Sequence, residues 1–382
     1  MKSIKIKKSS VFMIFCLLSF IRPEYLTRIS IINSGYYIYR IVVVISIFLL
    51  FLIKKKQLNK FSLLWVFFEI WIIIMTILNK GNIIYAFFQG LSIISIAILF
   101  QMYIDQIGSL LKNIYRVLSF FVLINFFTII FFPNGMYTTG VTNLATENWF
   151  LGFKNEQTPY FLTLVGIMLI LSEVEKYNKK KILMLIVVIL SAIIIKSSTL
   201  IVGLFILLIL ALFPFIRRNY QLFNISSYIV TSLFLFIAIP IFRLQNIFSY
   251  IIINMLNKDV NFTNRTVIWD TTLNYIKFKP ISGFGEQIPK IRNLMYNSFS
   301  VVSSHNQIME YLYTGGILLI IIYLFILFTI AKELYPLKSN NIIIISSSLF
   351  FALQVVFLTE VFTSAAVFMI YFIVYYSKKL VK

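Results

Sequence analysis

The chain has one cysteine, one histidine and few acidic residues, 13 in 382. One cysteine, Cys16, leaves no disulfide scaffold, and one histidine leaves no zinc site of the usual His/Cys kind. Charged residues of both signs make up only 12%, about half of what a soluble domain carries, while hydrophobic residues reach 60% and aromatics 17%. A water-soluble fold of this length could not hide so much apolar surface, and a disordered chain needs far less of it. A bilayer removes the problem. The net charge of +21 does not indicate nucleic acid, because the cations sit in short clusters between long apolar runs, as in the loops of membrane proteins.

A membrane-crossing helix takes about 20 mostly apolar residues. Runs that suit one lie near 10–21, 36–53, 61–78, 83–104, 114–132, 159–173, 182–195, 199–216, 222–241, 307–331, 341–358 and 363–376. The expected fold is an all-α integral membrane protein, a single polytopic domain over 1–382 with about 12 spans. The first run is not followed by the small residues of a signal-peptide cleavage site; Arg22-Pro23-Glu24 comes instead, so it is expected to stay as a span. Clusters such as Lys54-Lys55-Lys56, Lys179-Lys180-Lys181, Arg217-Arg218 and Lys378-Lys379 then put both termini on the cytoplasmic side.

Two extracytoplasmic loops exceed a tight turn: 133–158, and a larger one at 242–306. The larger loop is basic, with Arg243, Lys258, Arg265, Lys277, Lys279, Lys290 and Arg292 against Asp259, Asp270 and Glu286. A basic surface at a membrane face concentrates anions, and phosphate headgroups are the anions there. Within it, Thr263-Asn264 suits a helix N-cap. A short helix from Arg265 would put Arg265 and Trp269, four apart, on one face. The guanidinium fork can hold a phosphate, and the indole can stack on a sugar. This helix should end by Lys279-Pro280, with Gly283-Phe284-Gly285 as a flexible turn. Ser304 with Gln307 reads as a capping box that starts a long helix, with His305 in its first turn. There an imidazole could accept a proton and backbone N–H groups could face an anion. A surface histidine filling a helix start is the plainer alternative. Glu310 would orient His305 or Asn306, and Gly315-Gly316 would allow close helix packing. Arg40 and Glu69 lie inside spans and would pair with each other. Lys154 and Lys196 are candidates either for substrate contact or for plain snorkelling at the interface.

Taken together, Arg265-x-x-x-Trp269, Pro280-x-x-Gly283-x-Gly285, His305-Asn306 and Gly315-Gly316, with Gly152-x-Lys154-Asn155 and Lys196-Ser197-Ser198 before them, resemble the O-antigen ligase and Wzy-type polysaccharide polymerase superfamily over roughly 145–330. Many members have a Ser-Arg pair where this chain has Ser197-Ser198. The resemblance implies a GT-C-like, metal-independent glycosyltransferase without a cofactor. It would polymerise undecaprenyl-diphosphate-linked oligosaccharide repeat units into capsular or exopolysaccharide at the outer face of the bacterial cytoplasmic membrane. On that reading His305 and Arg265 are catalytic, and Lys154, Lys196, Arg292, Asn306, Trp269 and Glu310 bind substrate. Expected partners are the lipid-linked glycan and the bilayer, with a chain-length regulator and a flippase beside them, and no nucleic acid. Two alternatives are a ligase that transfers glycan to another acceptor and, from a different class, a lipid-linked oligosaccharide flippase. A flippase would line a path through the membrane with polar groups, whereas here the polar groups gather outside the apolar runs.

Overall fold

The computed structural model describes residues 8–139, 146–175, 179–248, 265–298 and 301–381. Each of the twelve apolar runs forms a helix. In chain order the helices are α1 (Lys8–Phe20), α2 (Ser30–Ile53), α3 (Lys60–Leu78), α4 (Ile83–Met102), α5 (Ile107–Phe131), α6 (Thr158–Val174), α7 (Lys179–Ile194), α8 (Ser198–Leu212), α9 (Pro214–Arg218), α10 (Ile225–Ala238), α11 (Arg265–Ile276), α12 (Pro289–Met295), α13 (Gln307–Leu334), α14 (Asn341–Val356) and α15 (Ala365–Tyr376). Among the described residues five segments are long and apolar enough to cross a bilayer: α2, α3, α4, α13 and the stretch Ile104–Phe131 that contains α5. Others, such as α6 and α14, are apolar but shorter. The molecule is an all-helical membrane protein.

Asparagine sets many of the helix starts. Asn59, Asn82, Asn224, Asn306 and Asn340 each accept a backbone N–H of the first turn, at 2.9 to 3.2 Å for the nearest contact. Each cap satisfies a donor that the helix itself cannot. Side chains on α2 and α15 show two opposite environments. On α2, Ile31, Ile38, Val42, Ile45, Leu49 and Leu52 are exposed at helical spacing, a stripe suited to lipid. On α15 nearly every residue from Ala366 to Tyr376 is buried; this helix is the centre of the bundle. There Trp65 packs edge-on against Phe368 and Tyr371. Tyr323 donates to Gln354 at 3.0 Å, and Tyr376 donates to Gln101 at 2.8 Å. Such bonds tie helices together where hydrocarbon offers no polar alternative.

Two features depart from the expectation. Within the 133–158 loop, β1 (Tyr137–Thr139), β2 (Thr146–Trp149) and β3 (Gly152–Phe153) form an antiparallel sheet in the order β1-β2-β3, an addition to the all-α expectation. And Gly283-Phe284-Gly285 is a packed segment rather than a flexible turn. Phe284 and Gly285 donate their N–H groups to Tyr313 O and Thr314 O (2.7 and 2.8 Å), while Ile317 N–H returns to Pro280 O at 2.8 Å. The insertion is possible because α13 breaks at Gly316, whose backbone is far from helical (φ 64°, ψ −164°). Only glycine holds that conformation readily, and a Cβ there would lie 2.2 Å from Ile281 O. Gly316→Ala is therefore expected to lower stability by about 1–3 kcal/mol from backbone strain alone. Thermal unfolding in detergent measures it, and an unchanged melting temperature would show that segment 280–285 can retreat.

Candidate active site

One end of the bundle gathers side chains from four separate stretches onto the carboxylate of Glu360. The β2–β3 turn comes first. Asn125 of α5 donates to Gln157 Oε1 at 2.8 Å and accepts from Leu151 N–H at 2.9 Å, and Gln157 donates to Gly152 O at 2.9 Å. Both amides are fully buried. Pinned this way, the chain presents Asn155, in the following turn between β3 and α6, whose Nδ2 donates to Glu360 Oε1 at 2.7 Å. Ser197 caps α8 by accepting Leu200 N–H at 3.3 Å and donates its hydroxyl to Asn155 Oδ1 at 3.0 Å. Two residues on, Thr199 Oγ1 reaches Glu360 Oε1 at 3.5 Å.

Glu360 stands in the connection between α14 and α15, and the start of α13 fixes that connection. Asn306 donates to Leu358 O at 3.1 Å, Gln307 N–H donates to Phe357 O at 3.0 Å, and Gln307 Oε1 accepts Phe362 N–H at 2.8 Å. The same clamp brings His305 close, with Nδ1 3.7 Å from Glu360 Oε2. From the large loop, Arg265 begins α11 and forms an ion pair with Glu360 Oε1. The cap expected at Thr263-Asn264 lies outside the described residues.

The electrostatics are those of a carboxylate standing where an anion belongs. Glu360 receives a guanidinium and two neutral donors on one oxygen and faces an imidazole on the other. Its side chain is 10% exposed and that of Arg265 20%, so the pair is strengthened by partial desolvation. His305 Nδ1 is buried without a hydrogen bond while the side chain is 32% exposed. The exposed part of the side chain therefore lies away from Nδ1. At 3.7 Å the Nδ1–Glu360 contact is too long for a hydrogen bond and short enough to become one on a small movement. Next to this cluster, burial pushes the Glu156 carboxyl above its ordinary range, with the charges of Glu24 and Glu360 adding to the effect.

Of the residues expected at the site, Arg265 and His305 each lie beside Glu360, a residue the sequence reading did not include. Glu360→Gln keeps the size and the donors' partner but removes the charge. It is expected to cut turnover about 10- to 100-fold, the loss typical when a residue that orients a reacting group is changed. Unchanged turnover at saturating substrate would exclude Glu360 from the site.

The other assignments need correction. Arg292 and Glu310 are buried and form an ion pair with each other, Arg292 also lying 3.7 Å from the Tyr313 ring centre. Burial works against the Arg292 charge, but Glu310 and the neighbouring tyrosines outweigh it and raise its pKa above the usual value. The pair holds α12 to α13. Glu310 also accepts Ser304 N–H at 2.8 Å. Helix α13 is capped by Asn306, not Ser304, so His305 lies outside the helix in a left-handed conformation (φ 49°). Fully buried, Asn306 positions the α14–α15 connection instead of touching sugar. Trp269 is fully buried under the Arg243 guanidinium, 5.2 Å from its ring centre, and cannot stack on a ligand. Lys154 lies 5.9 Å from the Phe153 ring centre, and Lys196 is exposed at a φ of 51°. In each case the next residue, Asn155 or Ser197, is the one that faces Glu360 or its partner. The Arg40–Glu69 pair does not form. Glu69 instead lines an enclosed cavity with Gln89, Glu286, Gln307 and Glu310. There burial pushes the Glu286 carboxyl up to about 7, with Glu310 reinforcing the shift and Arg292 opposing it. Among the described residues no three His, Cys, Asp or Glu side chains cluster to hold a metal ion.

Residues 182–324 match the family model described as O-antigen ligase. Over that stretch, 143 of the 382 residues, the chain is similar to this family. No curated protein matches the chain. The matched O-antigen ligase stretch includes Ser197, Thr199, Arg265 and His305. Asn155 and Glu360 lie on either side of it, so the fold completes the cluster from outside the domain's boundaries. The likeness is to proteins of the O-antigen ligase family over this stretch.

Proposed function

We propose that the protein polymerises undecaprenyl-diphosphate-linked oligosaccharide repeat units into a surface polysaccharide, at the outer face of the bacterial cytoplasmic membrane. The chain would cross that membrane about twelve times with both termini inside. The observation that carries the reading is the convergence of Arg265 and His305 on one partly buried carboxylate. Diphosphate is a good leaving group, so the reaction needs positive charge on the departing oxygens and a base for the attacking hydroxyl. Arg265 supplies the charge when the donor's diphosphate displaces Glu360 from its guanidinium. Glu360, released, turns fully to His305 Nδ1 and fixes the tautomer in which Nε2 takes the proton. Asn155, held by Ser197, stabilises whichever anion occupies the position.

No step requires a metal, and a chelator is expected to leave the turnover of purified protein unchanged; sensitivity to EDTA would overturn that part. The description of the matched family favours a second reading, transfer of finished glycan to a different acceptor. Purified protein supplied with lipid-linked repeat units alone separates the two. A ladder of lengthened products supports polymerase. Absence of product until a second acceptor is added supports ligase.

A further inference from the structure

We propose that Arg22 and Arg40 form a binding site for the phosphate of an anionic membrane phospholipid, separate from the Arg265 cluster. Arg22 follows α1. Its guanidinium carbon lies 5.4 and 5.8 Å from the ring centres of Tyr36 and Tyr37, and its Nη1 donates to Asn33 Oδ1 at 3.0 Å. Arg40, further along α2, has its Nε buried with no hydrogen-bond partner. The two cations repel each other, and tyrosines 36, 37 and 160 are the other titratable groups acting on Arg40. Among the described residues neither arginine has a carboxylate within ion-pair distance.

Two guanidinium groups in a membrane protein, one over the Tyr36 ring and the other one helical turn beyond Tyr36, with no carboxylate at ion-pair distance, carry a cost that an anion would offset. Arginine matches phosphate oxygens best. The occupant follows from the surroundings. Helix α2 exposes apolar side chains at helical spacing, with Ile31 at 85%, Ile38 at 66% and Leu49 at 54% exposure, against which acyl chains can lie. Tyr36, Tyr37 and Tyr39 supply the amphipathic rings that favour headgroup level. The Glu360 cluster is set apart by segment 23–28, whose Glu24 packs beside Gly152 and near Glu156. These acids would repel a diphosphate passing between the two sites.

The test uses the full chain purified in detergent, with phosphatidylglycerol as probe and native mass spectrometry to count retained lipid. Wild type and Arg265→Gln should both retain phosphatidylglycerol. Arg22→Gln/Arg40→Gln should retain about tenfold less, as the loss of one charge-assisted hydrogen bond would give. Arg22→Lys/Arg40→Lys should keep part of the retention. Should the double glutamine variant fail to fold, Arg22→Gln alone is read in the same way and should still fall. Equal retention by the glutamine variants overturns the proposal. So does retention of undecaprenyl diphosphate but not phosphatidylglycerol, which would make this a second site for the lipid-linked substrate.

Discussion

His305→Asn is expected to abolish polymer, slowing glycan transfer by about 10²- to 10⁴-fold, the usual worth of a positioned general base. Asparagine is the informative replacement. His305 sits at a φ of 49°, a conformation that asparagine accepts and that strains alanine. An asparagine side chain can also face Glu360, but it cannot take a proton from the acceptor hydroxyl. The variant should therefore fold, remain in the membrane and accumulate lipid-linked precursor. His305→Ala should lose as much turnover with an added stability cost. A flippase would survive both changes, because its transport path does not depend on one imidazole at a helix start. A normal ladder from His305→Asn would remove His305 from the chemistry.

The helices could be read from the sequence because the bilayer imposes one simple demand, a long run of side chains that prefer hydrocarbon. That demand says little about depth within the bundle. Helix α15 is as apolar as α2, yet one is central and the other faces outward. Tertiary packing decides such cases, and composition does not encode it. The site shows the same division. Arg265 and His305 were legible because arginine and histidine near membrane level have few other uses. Glu360 was not, since a lone acid in a short turn between two apolar runs resembles any solvated loop residue. Topology alone did not single it out: in the expected arrangement the turn at 359–364 falls on the same side as His305, but so do Glu24, Glu147, Glu156, Asp259, Asp270 and Glu286. Trp269, Arg292 and Glu310 were misplaced for the opposite reason. Their residue types suit ligand contact, but each is consumed by a partner brought from elsewhere in the chain, and spacing along one helix cannot reveal such a partner.

Arg265→Ala should lower transfer by about 10²- to 10³-fold, the cost of removing one preorganised donor from a developing anion. Single-repeat precursor should accumulate in cells that carry it. Arg265→Lys should recover little, since an ammonium gives a point charge where the guanidinium gives a fork. Another cause could produce the same defect. Arg265 is the cation paired with Glu360 Oε1, and its removal leaves a nearly buried carboxylate with only the neutral donors Asn155 and Thr199. An unpaired charge in such a place destabilises a fold. The double variant Arg265→Ala/Glu360→Gln separates the two causes, because it removes the orphaned charge together with its partner. If Arg265 acts on the diphosphate, the double variant melts near the wild-type temperature and still makes no polymer. If Arg265 only balances Glu360, the double variant turns over as fast as Glu360→Gln alone, and the leaving-group role falls.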